Sequence, residues 1–597
     1  MPLRVAEDGK IMVGVDFGTT YTGVSYSLRS LEVRGGEDND HLIDEWPAAN
    51  SREITASKVP TIVQYEHKTV RGIKTLEATR WGAQVLASKE NCSSLFKPLL
   101  EPNFDRDHDP YAFWNSTVGH GGFFLPEAKE PSDVIKDYLD CVWKYSSKTI
   151  FKNTRQGPSY HPVHYTITVP GIWARETRKA LERIVKDAGL ATKTNDILTM
   201  IPEPIAAAVD IFRKKADTFQ GDVVMLVCDI GGGTIDVGSV FIRQTEFGRY
   251  IRQLEPTRGD LGMLSVEAAF YRTMYERFKD TFKNQNTESI GPSSALIREF
   301  RDCFERFAPE NLEEHGWECR LPFWSLLSSN NPDFYDRRRK EIFLSARDIQ
   351  AFLDPVIDMA VSLISEQHHA VATAGFGGKK QHVYLGGGGA ENAYILRSVK
   401  RRIKDKHALD VYTPDKPQLA VVNGAGVYGL DDVLSIHKCP QHIGFECAQQ
   451  YDADRHGQPR PEVLTRDPVD GRNMVTGAAI WVFDMGRTYH DGAVETENVT
   501  EYFLDSEFGD RHKNIFVSRD PRPPAFVTDL EPLTAIEIRF RQVPAGKTEV
   551  RVVGGRRQVR IRYDISTTFF PVDNKIEFVA KVCNQVIGRQ EISMPFH

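Results

Sequence analysis

Short β-branched apolar runs recur along the first two thirds of the chain, and two of them end on an aspartate followed at once by glycine. The run "VVMLV" from Val223 has no helical spacing and is bounded by a Gly-Asp pair, which predicts a buried strand. After it come Asp229, Gly231, Gly232, Gly233, Thr234, Asp236 and a second apolar run. The stretch "IMVGVDFGTTYTGVSYS" from Ile11 has the same form: strand, Asp16, a Gly turn, hydroxyl residues, strand. A third glycine cluster lies in "QHVYLGGGGAENAYILRSVKRRI", where a strand at His382 to Leu385 precedes Gly386 to Gly389. An amphipathic helix carrying Tyr394, Ile395, Val399 and Ile403 is predicted after it. The last quarter reads differently. "AIEIRFRQV", "EVRVV", "QVRIRYDI" and "KIEFVAKV" alternate with period two and are separated by "PAGK", "GGRR" and "VDNK", the pattern of an antiparallel β-sandwich.

Length and charge narrow the classes. A chain of 597 residues predicts several domains, and its 41% hydrophobic content is ample for their cores. A formal net charge of −7 gives no argument for nucleic acid, and the basic runs at Arg337 and Lys400 read as solvated helix faces. The eight cysteines contain no CxxC pair, and Cys228 reads as a small core residue. No apolar run is long enough for a membrane span, and "MPLRVAEDGK" has no signal-like apolar region. These features predict reduced thiols and a cytoplasmic or nuclear setting.

The Asp-Gly devices suggest a chemistry. Glycine turns can aim several N–H groups at one anion, and Thr19, Thr20 and Thr234 add hydroxyl donors. Carboxylates at Asp16, Asp229 and Asp236 would repel bare phosphates, so they imply a hard cation between. Mg²⁺ suits that place, because it keeps its waters and is gripped through them by one or two carboxylates and substrate phosphates. Neither a GxxxxGK[ST] loop nor a GxGxxG opening a helix is present. The third cluster admits two readings, a nucleotide-contact edge or close helix–sheet packing.

The order of "DFGTTYTGV", "TITVPGIWARETRKAL", "IPEPIAAAV", "CDIGGGTIDVGSV", "TRGDLGMLSVEAAF", "LDPVI", "VYLGGGGAENAYI" and "AVVNGAGVYGL" resembles the nucleotide-binding domain of the heat-shock protein 70 chaperones, within the actin and sugar-kinase ATPase superfamily. The resemblance implies an α/β two-lobed actin-like ATPase over residues 11–430, built on two RNase-H-like cores, lobe I at about 11–220 and lobe II at about 221–430. It implies ATP or ADP with Mg²⁺ in the cleft, the metal held through water by Asp16 and Asp229. Gly18, Thr19, Thr20, Tyr21, Gly231, Gly232 and Gly233 match nucleotide-contact positions, and Thr234 and Asp236 match the γ-phosphate region. Glu203 matches a glutamate that positions water, and Lys97 in "SLFKPLL" is the candidate catalytic lysine, with Asp16 and Asp229 completing the catalytic set. Glu305 matches the adenosine side and Gly386, Gly387 and Gly388 the base-side glycines, while Pro170 and Arg178 match positions that relay nucleotide state.

Departures from the family pattern cluster on the base side. Gly388, Gly389 and Ala390 stand where the family has Ser-Thr-Arg, and Ala308 and Pro309 replace expected basic residues. Residues 431–440 resemble a degenerate interdomain linker, and 441–597 a β-rich substrate-binding-like domain whose sequence stops at "EISMPFH" without a helical lid. This resembles the divergent, lidless member-12 type branch. The implied partners are a protein or peptide client and J-domain or nucleotide-exchange helpers, with no nucleic acid and no membrane span.

Three functions stay open at this level. One is a chaperone-type switch with weak Mg-dependent ATPase activity. A second is a nucleotide-binding scaffold with little or no turnover. The last is a small-molecule kinase, for which Asp260 in "TRGDLG" would be the base.

Overall fold

In the computed structural model the apolar run after Lys10 becomes the strand Lys10–Phe17, the middle of the first sheet. It pairs antiparallel with Tyr21–Arg29, with Val15 opposite Val24, and parallel with Val163–Val169, with Val13 opposite Tyr165. Ile197–Pro202 continues the parallel side, and Asp40–Leu42 and Val59–Pro60 both pair with Tyr21–Arg29. The second sheet repeats this arrangement. Its middle strand Val223–Ile230, buried at every position, has the hairpin partner Ile235–Thr245 on one side. On the other side lie the parallel strands Lys380–Gly386 and Val411–Tyr412. Strands buried on both faces read as continuous apolar runs, which is why these two were visible in the sequence.

The description covers residues 10–593 except 30–39, 50–52, 71–72, 86–91, 103, 105–124, 127–128, 153–161, 216–218, 220, 246–247, 255, 292–293, 309–317, 327–330, 429–436, 440, 468–470, 490–492, 554, 571–574 and 584. The expected linker therefore lies mostly outside the described residues, as do Pro309 and the final "PFH". The chain divides into one unit of Met1–Phe241 with Leu254–Val433 and another of Ile242–Gln253 with Leu434–His597.

Helices of the first unit show the expected stripes. Pro131–Lys152 buries Val134, Ile135, Tyr138, Leu139 and Val142, the spacing of one helical face. Tyr138 packs beside Phe17 with the rings tilted and their centroids 6.2 Å apart, and its hydroxyl donates to the Pro60 carbonyl at 3.1 Å. Glu203–Lys215 starts immediately after a sheet strand and is buried through its first ten residues.

In the second unit, one antiparallel sheet runs Leu464–Arg466, Asn473–Phe483, His442–Gln450, Arg511–Ser518, Thr534–Ile538. Another contains Ala493–Leu504, Arg556–Phe570, Lys575–Val582 and Gln585–Ser593, with Glu549–Val553 also pairing Arg556–Phe570. Ile443, Phe445 and Ile515 from the first and Phe503, Ile561 and Phe578 from the second share one hydrophobic cluster. The segment expected as a single strand, "AIEIRFRQV", instead ends at Ile538 and turns through a short 3₁₀ helix, Phe540–Gln542, which buries Phe540.

The expectation of eight free thiols needs correction. Cys303, at the end of the helix Ala295–Glu305, and Cys319, on the strand Glu318–Pro322, form a disulfide with Cα atoms 6.1 Å apart. The fold brings together two residues 16 apart in sequence that no CxxC spacing would flag. No helix among the described residues is long and apolar enough to cross a membrane.

Candidate functional site

Each middle strand carries its aspartate as the last residue but one, and each following turn closes with the same hydrogen bond. Gly18 N donates to Tyr21 O at 3.1 Å, and Gly231 N donates to Thr234 O at 2.9 Å. The turns meet: a Cβ on Gly232 would lie 2.2 Å from Thr20 Oγ1, so only glycine allows the two hairpins this approach. The second turn is fixed from behind by the helix Met263–Phe278, whose first N–H groups would otherwise lack partners. Met263 N and Leu264 N donate to the carbonyls of Gly231 and Gly232 at 3.0 and 2.8 Å.

The third glycine cluster closes on the same place. Lys380–Gly386 runs parallel to Val223–Ile230 with Gly386 beside Asp229. Gly387 then takes a φ of +79°, and a Cβ there would stand 2.3 Å from Asp229 Oδ1. Asn392 caps the next helix, accepting from Ile395 N at 3.0 Å, and donates to Phe304 O at 2.7 Å. That bond ties the glycine loop to the helix that carries Glu305.

Between these elements lies a cavity of about 940 Å³. Asp16, Gly18, Thr19, Thr20, Tyr21, Lys97, Glu203, Asp229, Gly231 to Thr234, Glu305, Gly387, Gly388 and Pro170 all line it. Asp236 and Gly386 stand just behind the lining. Asp236 is buried, takes a hydrogen bond from Thr234 Oγ1 at 2.8 Å, and stands opposite the cavity-lining Arg258 in the strand pairing. Arg178 lies off the cavity and donates to Gly171 O at 3.0 Å. Lys97 is buried rather than on the surface: its Nζ donates to Glu203 Oε1 at 2.6 Å and sits 5.7 Å from the ring centres of Phe17 and Trp173. Asp260 is exposed, is not among the residues lining the cavity, and is paired with Arg258 Nε at 3.3 Å.

Electrostatics explain what the cluster lacks. Burial, then the charge of Glu203, pushes Asp229 up to about 8, against the opposing pull of Lys58. Burial and Glu203 likewise raise Asp236 to about 6, with Arg258 opposing. Asp229 Oδ1 and Asp236 Oδ1 are buried without a hydrogen-bond partner among the described residues. Carboxylate oxygens left so are suited to a hydrated cation arriving with its own ligands. Among the described residues no group of three or more His, Cys, Asp or Glu could hold a metal alone, so phosphate oxygens and water would have to complete any such shell.

Several cavity residues were not anticipated. Lys58 donates to Asp16 Oδ2 at 2.6 Å. Arg258 reaches Glu101 Oε1 at 2.7 Å, which also accepts from Trp173 Nε1 at 2.6 Å. Arg301 forms a two-bond pair with Glu267 at 2.6 and 3.0 Å. Each joins segments far apart in sequence; the available signal for Lys58 was a lone lysine between small residues and a Val-Pro pair in "ASKVPT".

Comparison with known proteins gives a distant link. No family model matches the chain. A heat shock cognate 70 kDa protein 3 of Dictyostelium discoideum is 24% identical over 314 residues, covering 49% of this chain and 42% of that protein. A heat shock 70 kDa protein of Emericella nidulans is 24% identical over 303 residues, with 49% and 41% covered. A mitochondrial-type heat shock protein 70 of Encephalitozoon cuniculi is 26% identical over 339 residues, with 53% and 52% covered. The matched stretch spans about half of this chain and about half or less of each relative. The chain is thus linked in general to the heat-shock protein 70 proteins, a nucleotide-binding, chaperone-type group, without assignment to a branch.

Proposed function

We propose that the cavity between the two Asp-Gly turns binds ATP or ADP with Mg²⁺, that the first unit is a two-lobed actin-like ATPase with an RNase-H-like core in each lobe, and that it hydrolyses ATP weakly. The observation that carries this reading is the pair of matched turns, closed by the same hydrogen bond, each placing a carboxylate and glycine on one cavity. Bound Mg²⁺ would neutralise phosphate charge. Asp16 and Asp229 would hold it through water. Turn N–H groups other than those of Gly18 and Gly231, and the hydroxyls of Thr19 and Thr20, would orient the phosphates, with Thr234 lining the same region. Glu203 would position the attacking water, and Lys97 beside it would offset charge developing on the transferred phosphoryl. The base would lie between Glu305 and the loop Gly386 to Gly388.

A chaperone-type switch is the fuller form of the proposal. The nucleotide state would bias the β-rich second unit, a sandwich-like client-binding domain, through residues 431–440, with a J-domain or exchange helper acting on the cycle. Such coupling requires a partner that binds the two states unequally. A scaffold with little turnover is the second reading. It is favoured by Gly388, which has nothing within 4 Å of its Cβ position and offers no side chain to pack on a base.

Single-turnover hydrolysis of ATP by the full chain beside Glu203→Ala separates these readings. Product formation that falls about 10²-fold or more in the variant supports an ATPase with a positioned water. Equal, background-level rates in both would leave only the scaffold.

A further inference from the structure

The cavity contains four cationic side chains, Lys58, Lys97, Arg258 and Arg301. Three of them are ion-paired with other carboxylates. Lys97 is on Glu203, Arg258 on Glu101 and Asp260, and Arg301 on Glu267. Lys58 alone among these four is paired with an Asp-Gly turn aspartate, Asp16 Oδ2 at 2.6 Å.

Its placement is fixed from several sides. Thr61 N donates to Thr20 O at 2.8 Å, and Thr61 Oγ1 donates to Gly18 O at 2.9 Å, so the segment carrying Lys58 is bound to the first turn itself. Tyr138 holds the adjacent Pro60 carbonyl. Lys58's stem lies over Gly23, where a Cβ would be 3.2 Å from its Cγ. Thr168 Oγ1 holds the other oxygen of Asp16 at 3.0 Å. The Lys58 side chain, which lines the cavity, keeps 18% of its surface exposed, and its ammonium feels Asp229 and Glu203 as well as Asp16.

We infer that Lys58 is a built-in cation of the phosphate site, which lets this chain hold nucleoside di- and triphosphates without Mg²⁺. The inference rests on the nucleotide reading of the cavity. An ammonium has three donors. One is on Asp16, which leaves two for phosphate oxygens brought into the cavity, at a point where the surrounding carboxylates would otherwise repel them. Mg²⁺ would then improve binding without being its precondition.

The test is direct binding of ADP, ATP and adenosine to the full chain, in Mg²⁺ and in EDTA, for wild type, Lys58→Met and Lys58→Arg. In EDTA the wild type should keep ADP within about tenfold of its Mg²⁺ affinity, and Lys58→Met should weaken it by a further 10- to 100-fold or so, as expected for a lost charge-assisted bond. Adenosine, having no phosphate, should bind all three alike, and Lys58→Arg should keep most of the EDTA affinity. The wild-type comparison does not depend on any variant folding, and ligand-free melting checks the two that are made. Tight Mg-ADP binding that vanishes in EDTA would overturn the inference and leave the nucleotide site standing. A Lys58→Met loss no larger for ADP than for adenosine would overturn it too. Absence of nucleotide binding in both buffers would sink the nucleotide reading, and this inference with it.

Discussion

Asp229 is buried beside Glu203, Asp16 and Asp236, with Lys58 the chief opposing charge. A carboxylate held like this costs stability in the ligand-free protein and is repaid only when a cation enters. Asp229→Asn should therefore raise the stability of ligand-free protein in EDTA by about 0.5–2 kcal/mol, the usual reward for relaxing a strained site, while abolishing most of the melting shift produced by Mg-ATP. Thermal melts with and without Mg-ATP check both halves. A variant less stable than wild type in EDTA would show that the buried carboxylate is not under repulsion.

At the scale of the elements, the two turns touch through Gly232 and Thr20. Gly232→Ala puts a methyl 2.2 Å from Thr20 Oγ1, which must shift the hairpins apart. We expect a cost of about 1–3 kcal/mol from such overpacking and a larger proportional loss of Mg-ATP stabilisation. Gly378→Ala, with nothing within 4 Å, should leave melting unchanged. Equal behaviour of the two variants would contradict the tight apposition. The hairpins themselves were legible because each is a local device: strand, Asp, glycines and hydroxyls occur within about a dozen residues, and burial on both faces leaves an uninterrupted apolar run. What brings the hairpins together was not. The Lys58–Asp16 contact spans 42 residues and the Arg258–Glu101 contact 157, so no period or motif announces them. The placement of Lys97 was equally hidden, since its neighbours Phe17, Trp173 and Glu203 come from three separate segments. Asp236 was placed with the site by its position in the hairpin, and it is buried against two lining residues, accepting from Thr234 Oγ1 and standing opposite Arg258.

For the whole molecule, each unit has a core of its own. Phe578 is fully buried in the cluster of the second unit, so Phe578→Ala should destabilise that unit by about 3–5 kcal/mol. If nucleotide binds only the first unit, the Mg-ATP shift of the first unit's transition should survive this change, as followed by calorimetry. Loss of that shift would mean that the nucleotide site depends on the second unit being folded. The proposed coupling is exposed separately: Leu434→Asp, outside the described residues, should remove any effect of nucleotide on proteolysis of the second unit. An undiminished effect rules out transmission through that segment.

The central claim is that the two Asp-Gly turns make one Mg-nucleotide site, and calorimetric titration of Mg-ATP into wild type and Asp16→Asn tests it most directly. The account predicts saturable binding to the wild type at one site per chain, weakened about tenfold or more in the variant by the loss of a charged metal contact. Wild type that takes up no Mg-ATP, or binding of equal strength in both proteins, would contradict it.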